Sequence, residues 1–124
     1  MDALFAAHSG TRYLVLVAGL IALLWFAWGL GTKRPFSRPA PAMLAVFVGL
    51  LDLQVLMGIA LLIGGRRPPG IWGHVVVMVL AAILAHWMKK SSRTSTGYGG
   101  PLFGVAGALA LIVVGILAIG RAIV

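Results

Sequence analysis

The sequence predicts an all-α fold: an integral membrane four-helix bundle of up-down-up-down topology, with both termini on the outer, periplasmic side. Its composition and its four long apolar runs predict this class. Of the 124 residues, 61% are hydrophobic and 10% are charged, and the mean hydropathy is +1.08. An ordinary soluble domain carries about 25% charged residues. The composition therefore excludes a soluble enzyme, a secreted disulfide module and a disordered tail.

The four apolar runs are each long enough to cross a hydrocarbon core of about 30 Å. We expect helices over residues 3–31, 41–65, 71–90 and 101–122, all within one transmembrane domain covering residues 1–124. The connectors between them contain proline, glycine and serine, which interrupt helices. Small residues recur every three or four positions along the fourth run, which predicts close helix packing within the chain or between protomers.

The basic residues predict the orientation of the bundle. The side of the membrane that holds the first and third connectors carries six of them, and the opposite side carries four. The side with more lysine and arginine is the cytoplasmic one, so we expect a multi-pass protein of the bacterial inner membrane. The net charge of +8 then favours anionic lipid headgroups as partners and not nucleic acid. The two groups are Lys33, Arg34, Arg38, Lys89, Lys90 and Arg93 on the inner side, and Arg12, Arg66, Arg67 and Arg121 on the outer side.

Two histidines lie near the starts of helices that begin on the same predicted side of the membrane. His8 lies near the start of the first helix and His74 near the start of the third, so the predicted topology gives them similar depth in the bilayer. Two neutral imidazoles that face each other are the axial ligands of a bis-histidine haem. The alternative is a pair of interfacial histidines that meet headgroups and water.

Arginines near these histidines suit the propionates of such a haem. Arg12 follows His8 by one helical turn, on the same face, and Arg66 or Arg67 lies across the gap on the second connector. Guanidinium groups bind carboxylates through paired hydrogen bonds. The alternative for Arg12 is a side chain that snorkels to the headgroups.

His86 lies 12 residues after His74, which is about 18 Å along the helix and about 120° around it. It cannot bind the same iron as His74. A second haem would need another ligand at that depth, and Met43 is the candidate. The alternative is an interfacial or hydrogen-bonded histidine beside Trp87.

Asp52 lies near the middle of the second predicted helix. Polar groups inside a bilayer are costly, so each needs a reason. The candidate roles are a proton relay, a cation site, or a hydrogen-bond partner for a histidine or a quinone. A neutral acid bonded to a neighbouring helix is the structural alternative. Gln54 points about 200° away from Asp52 and shares a stripe with Gly58, where a porphyrin edge or a helix would fit.

Three short motifs resemble those of a known family: His8-Ser-Gly-Thr-Arg12, Gln54-Val-Leu-Met-Gly58 and Gly73-His74. Their order resembles one four-helix half of haem A synthase, and the whole chain resembles small four-helix bacterial membrane proteins of the cytochrome b-like kind. The resemblance implies His8 and His74 as axial ligands of one haem b, with Gln54 and Gly58 lining its pocket. Haem A synthase has two such halves and an acidic residue near its first histidine, whereas Ala6, Ala7 and Ser9 surround His8 here.

We therefore expect a b-type haem protein that transfers electrons as a small subunit or partner of a respiratory or photosynthetic membrane complex, or as a homodimer. A quinone is a second candidate cofactor. No residue resembles a nucleophile or a hydrolytic pair, so we expect no catalytic residues and no enzyme activity of the chain alone. The alternatives are a proton-coupled small four-helix transporter that uses Asp52, and a haem-free structural or assembly subunit.

Overall fold

The structure, a computed structural model, describes residues 1–120 and is all-helical. The helices are α1 (Asp2–Gly31), α2 (Ala40–Ile63), α3 (Ile71–Ser92) and α4 (Gly99–Ala118). Each is long and apolar enough to cross a membrane, as the composition predicts. The chain is thus a multi-pass membrane protein by the length and hydropathy of its helices.

The predicted helix limits differ from the observed ones mainly at two carboxyl ends. The prediction of α2 to residue 65 was wrong, because the helix ends at Ile63 and Gly65 adopts a φ of +90°. The prediction of α4 to residue 122 was also too long, since the helix ends at Ala118 and Gly120 has a φ of +68°. Glycine takes these left-handed values without a steric penalty. The last two predicted helical positions, of which Arg121 is the first, lie outside the described residues.

The helices pack around a square in chain order. α1 contacts α2 and α4, and α3 contacts the same two helices, whereas no α1–α3 contact forms within residues 1–120. α1 and α3 are therefore diagonal to each other. His8 and His74 lie on these two helices, so the centre of the bundle lies between them.

Small residues allow α4 to pack closely on its neighbours. Gly104, Ala108 and Gly115 are buried; the side chain of Met88 occupies the space beside Gly104, and that of Met78 lies beside Gly115. Both methionines are on α3. The predicted small-residue stripe thus serves packing within the chain, where it keeps the backbones of α3 and α4 close.

One end of the bundle is held by an aromatic cluster of Phe26, Phe36 and Tyr98. The ring centroids are 5.2–5.7 Å apart, a separation typical of favourable aromatic pairs. The Phe36 amide also donates to the Thr96 carbonyl at 3.2 Å. The α1–α2 and α3–α4 connectors therefore contact each other.

The α2–α3 connector lies elsewhere, beside the amino-terminal end of α1 and the carboxyl end of α4. The guanidinium of Arg66 stacks 3.6 Å from the ring centroid of Phe5 and lies 3.9 Å from Asp2. Gly70 packs against the backbone of Ala118. This end of the bundle contains His8 and His74.

Candidate functional site

Two neighbouring cavities lie between α1 and α3, with volumes of about 130 and 50 Å³. Both are lined by His8, Gln54, His74 and Met78. Ile59 and Val79 line the larger one and are about half exposed, so it reaches the bundle surface at the seam between α2 and α3. The diagonal placement of α1 and α3 leaves this space open.

His74 is held in one orientation by the backbone of α4. Its Nδ1 donates a hydrogen bond to the Gly115 carbonyl at 2.7 Å. In a neutral imidazole this leaves Nε2 unprotonated, with a free lone pair. A metal-binding histidine has this arrangement, because its other ring N–H is usually bonded to a carbonyl or carboxylate. His74 is therefore prepared to act as a ligand through Nε2.

His8 is held differently, by an amide from α2. The Gln54 Nε2 donates to the His8 backbone carbonyl at 2.8 Å and lies 3.5 Å from the His8 Nε2. A Cβ added at Gly58 would come within 3.2 Å of the His8 Cε1, so the missing side chain at Gly58 gives the imidazole its space. The contact between His8 Nε2 and the amide is at the limit of hydrogen bonding and is easily exchanged for a stronger ligand.

Three buried polar atoms lack a hydrogen-bond partner in residues 1–120: His8 Nδ1, Arg12 Nε and Gln54 Oε1. All three belong to residues that line these cavities, and all were predicted from the sequence. Leaving one such group unsatisfied costs about 1–3 kcal/mol. Their concentration at the smaller cavity makes it the candidate ligand site.

The three predicted arginines have different surroundings. Arg12 lines the smaller cavity, and its Nη2 donates to the Tyr13 hydroxyl at 2.7 Å. Arg66 lines the larger cavity beside Phe5. Arg67 lines neither cavity and is exposed. Only Arg12 and Arg66 are therefore positioned beside the histidines.

Asp52 and His86 form a second, separate pair. The His86 Nε2 donates to the Asp52 Oδ1 at 2.7 Å, which is one of the partners expected for a carboxyl in a membrane span. The side chains are 54% and 42% exposed for His86 and Asp52, and neither lines the cavities. His86 thus has one ring nitrogen engaged by a carboxylate.

The donor set at the cavities suits a haem better than a bare metal ion. In the described part of the chain, no group of three or more histidine, cysteine or acidic side chains is placed to hold a metal ion. A haem iron needs only two axial protein ligands, since the porphyrin supplies the others. Pockets for drug-sized ligands measure about 300–1,000 Å³, so a porphyrin would fill the cavity of about 130 Å³ and its opening at Ile59 and Val79.

Two residues of the site were not predicted as functional. Gly115 supplies the carbonyl that orients His74, and the thioether of Met78 lines both cavities. Met78 follows His74 by one helical turn, a spacing that the sequence displays. Every residue has a backbone carbonyl, so the sequence could not predict that the Gly115 carbonyl binds His74. It showed only that Gly115 belongs to the small-residue stripe of α4.

No protein-family model, curated protein or solved structure matches this chain.

Proposed function

We propose that this chain is a b-type haem-binding membrane protein that transfers electrons. The observation that carries the proposal is the convergence of unsatisfied polar atoms from His8, Arg12 and Gln54 on the cavities that His74 also lines. The His74 imidazole has its Nδ1 bonded to the Gly115 carbonyl, which leaves Nε2 as the nitrogen for iron.

The residues at the cavities divide into three roles toward a haem. His8 and His74 would hold the iron, Arg12 and Arg66 would pair with the propionates, and Gln54 holds the helix turn that carries His8. When bound, the haem supplies one-electron redox chemistry. The protein orients the two imidazoles and places positive charge at the cavity rim.

The likeness to cytochrome b-like proteins and to half of haem A synthase belongs to the same proposal. Its support is that the motif residues His8, Arg12, Gln54, Gly58 and His74 all line one or both cavities. They are contributed by three helices.

We also propose an up-down-up-down arrangement in the bacterial inner membrane, with both termini on the periplasmic side. Its support is the contact between Phe36 and Tyr98, which joins the two connectors; these connectors, together with Lys89 and Lys90 in the last turn of α3, carry six of the ten basic residues. Basic loops remain in the cytoplasm. A larger membrane complex or a second copy of the chain would be the redox partner.

The proton-coupled transporter is the second hypothesis from the sequence. A transport pathway needs its carboxyl group within a passage, whereas Asp52 lies outside the cavities and is partly exposed on the bundle surface. No acidic side chain lines either cavity formed by residues 1–120. The position of Asp52 therefore favours a haem site over a transport pathway. The unsatisfied polar atoms at the cavities favour it over a subunit that binds no cofactor.

The test is haem stoichiometry. The protein is produced in haem-replete cells, purified in detergent and analysed by its reduced-minus-oxidised spectrum and by pyridine haemochrome. We expect a b-type spectrum and one haem per chain, with the haem lost from His8→Ala and from His74→Ala and retained in Gly49→Ala, where no atom is displaced. Two haems, with one lost in His86→Ala, would add a second site. A colourless protein would refute the proposal.

A further inference from the structure

Asp52 and His86 form a polar pair on the lateral surface of the bundle, and neither residue belongs to the candidate haem site. Besides their mutual hydrogen bond of 2.7 Å, neither side chain has a partner among residues 1–120. His86 Nδ1 and Asp52 Oδ2 are therefore free, and both side chains are about half exposed. In a membrane-spanning bundle this surface faces lipid.

Such a surface is costly without an external partner. A polar group placed in hydrocarbon without a hydrogen bond costs several kcal/mol, and ionisable groups within membrane spans usually mark a functional site. The neighbouring surface is apolar, with Leu53, Leu56 and Ile83 exposed. A partner from the membrane is needed to satisfy the remaining atoms of the pair.

The pair lies on the seam into which the larger cavity opens. Asp52 is on α2 and His86 on α3, and the cavity residue Val55 follows Asp52 by about one helical turn. Val79 continues the seam on the α3 side, two turns before His86. A ligand with a flat apolar ring would fit on the seam beside the cavity opening, against Leu56 and Ile83, and reach the pair with a polar edge.

We propose that the Asp52–His86 pair binds a membrane-soluble quinone or quinol at the α2–α3 seam. Because His86 donates through Nε2 to the carboxylate, Nδ1 of the neutral ring accepts a hydrogen bond from a quinol hydroxyl. In the protonated ring, Nδ1 donates to a quinone carbonyl instead. One side chain thus recognises both redox forms of the ligand.

This inference deepens the proposed electron-transfer function, since it rests on the membrane location and names the class of redox partner. Binding of the ring itself needs only the pair and the seam. Val55, which lines the larger cavity, is three residues from Asp52, about 4.5 Å along the helix axis. The quinone would therefore lie beside the haem pocket.

A second copy of this chain is the competing occupant. The seam favours a small planar ring, because it is a groove beside the cavity opening at Ile59 and Val79, whereas helices present convex surfaces of side chains. Apart from tyrosine and tryptophan, the exposed residues of the four helices within residues 1–120 are apolar except Asp2, His86, Lys90 and Ser91, so a second copy offers few hydrogen-bond partners to the pair.

The test is titration of the full-length protein in lipid nanodiscs with a short-chain benzoquinone, followed by quenching of tryptophan fluorescence. Trp87 is next to His86 and is exposed, so it reports on the seam, and Trp87→Phe should remove the saturable quenching. We expect saturable binding that weakens about tenfold in Asp52→Asn and in His86→Gln, as expected for the loss of about 1.4 kcal/mol. Leu53→Asn, a polar change at an exposed neighbour of Asp52, should leave the affinity unchanged.

Three outcomes would overturn the quinone site. Quenching that never saturates and is equal in all variants means simple partition into lipid. Variants of the pair that break a dimer without changing quenching mean that a second copy covers the seam. Proton-driven substrate uptake that is lost in Asp52→Asn while quinone binding is absent assigns the pair to transport. Because these variants change exposed side chains, circular dichroism and gel filtration should match the wild type.

The quinone site and the haem site fail separately. Haem-free His8→Ala and His74→Ala proteins should still bind the quinone with wild-type affinity. A colourless wild-type protein that binds quinone at the pair would refute the haem alone, and a haem-loaded protein without saturable quinone binding would refute the quinone site alone.

Discussion

The Nδ1 of His74 and the backbone carbonyl of Gly115 are 2.7 Å apart, and this hydrogen bond joins α3 to α4 beside the central cavities. It fixes both the tautomer and the direction of the imidazole, as carbonyl partners do for metal-binding histidines. Gly115 contributes only backbone here, because a side chain would approach Met78 and His74. The same glycine thus serves helix packing and the orientation of a candidate ligand.

Substitution of Gly115 by valine should therefore affect the site as well as the packing. An added Cβ would lie 3.1 Å from the Met78 Sδ and 3.5 Å from the His74 Nδ1, and valine adds further atoms. We expect a destabilisation of about 1–3 kcal/mol from overpacking, together with weaker haem retention. Thermal unfolding in detergent and haem dissociation to apomyoglobin measure the two effects, and unchanged haem retention would show that the His74–Gly115 bond is dispensable.

Gly58 and Gly49 provide a matched test of the His8 position. Both are on α2, but a Cβ at Gly58 would lie 3.2 Å from the His8 Cε1, whereas a Cβ at Gly49 would meet nothing within 4 Å. We expect Gly58→Ala to shift the imidazole and lower haem occupancy, and Gly49→Ala to retain it. Haem content per protein measures the difference, and equal haem content in the two variants would count against His8 as a ligand.

Arg12 should influence the haem potential through its charge. Its Nε is buried beside the smaller cavity and lacks a hydrogen-bond partner. Since reduction adds an electron to the site, removing a nearby cation destabilises the reduced form and lowers the reduction potential. Spectroscopic redox titration of Arg12→Gln should show a drop of tens of millivolts, with Arg93→Gln in the distant α3–α4 connector as the control. An equal potential in both variants would place Arg12 away from the haem.

Gly70 should be important for stability independently of any cofactor. It has a φ of +79°, and an added Cβ would meet the carbonyl oxygen of Ala118. The left-handed conformation alone costs a non-glycine residue about 1–2 kcal/mol. We expect Gly70→Ala to lower the thermal midpoint in detergent by several degrees, while Gly97→Ala, which meets nothing within 4 Å, should have little effect. Similar midpoints would mean that the α2–α3 connector is free to rearrange.

The number and position of the helices could be predicted because a membrane span is a long run of apolar residues, and hydropathy reports it directly. The carboxyl ends of α2 and α4 could not be predicted in this way, because the residues that follow each helix are also glycine or aliphatic, and hydropathy does not change there. Gly65 and Gly120 end these helices through backbone conformation, which hydropathy does not record.

The clustering of His8, Gln54, Gly58 and His74 was predicted from depth and resemblance, and in the structure all four line the larger cavity. The pairing of Asp52 with His86 was only one of several possibilities. The pairing depends on how α2 and α3 are rotated about their axes relative to each other. Packing between the helices sets this rotation, and the spacing of residues within one helix does not predict it. The placement of Arg67 also required the structure. Arg66 and Arg67 are adjacent in one connector, and the sequence does not show which of the two side chains lies beside the cavity.

We propose that His8 and His74 together bind one haem iron. Low-temperature electron paramagnetic resonance of the purified ferric protein tests it most directly, because the spin state reports the axial ligands. The account predicts a low-spin bis-imidazole signal in the wild type that is lost or becomes high-spin in both His8→Ala and His74→Ala. A high-spin wild type, or a low-spin signal that survives in either variant, would contradict it.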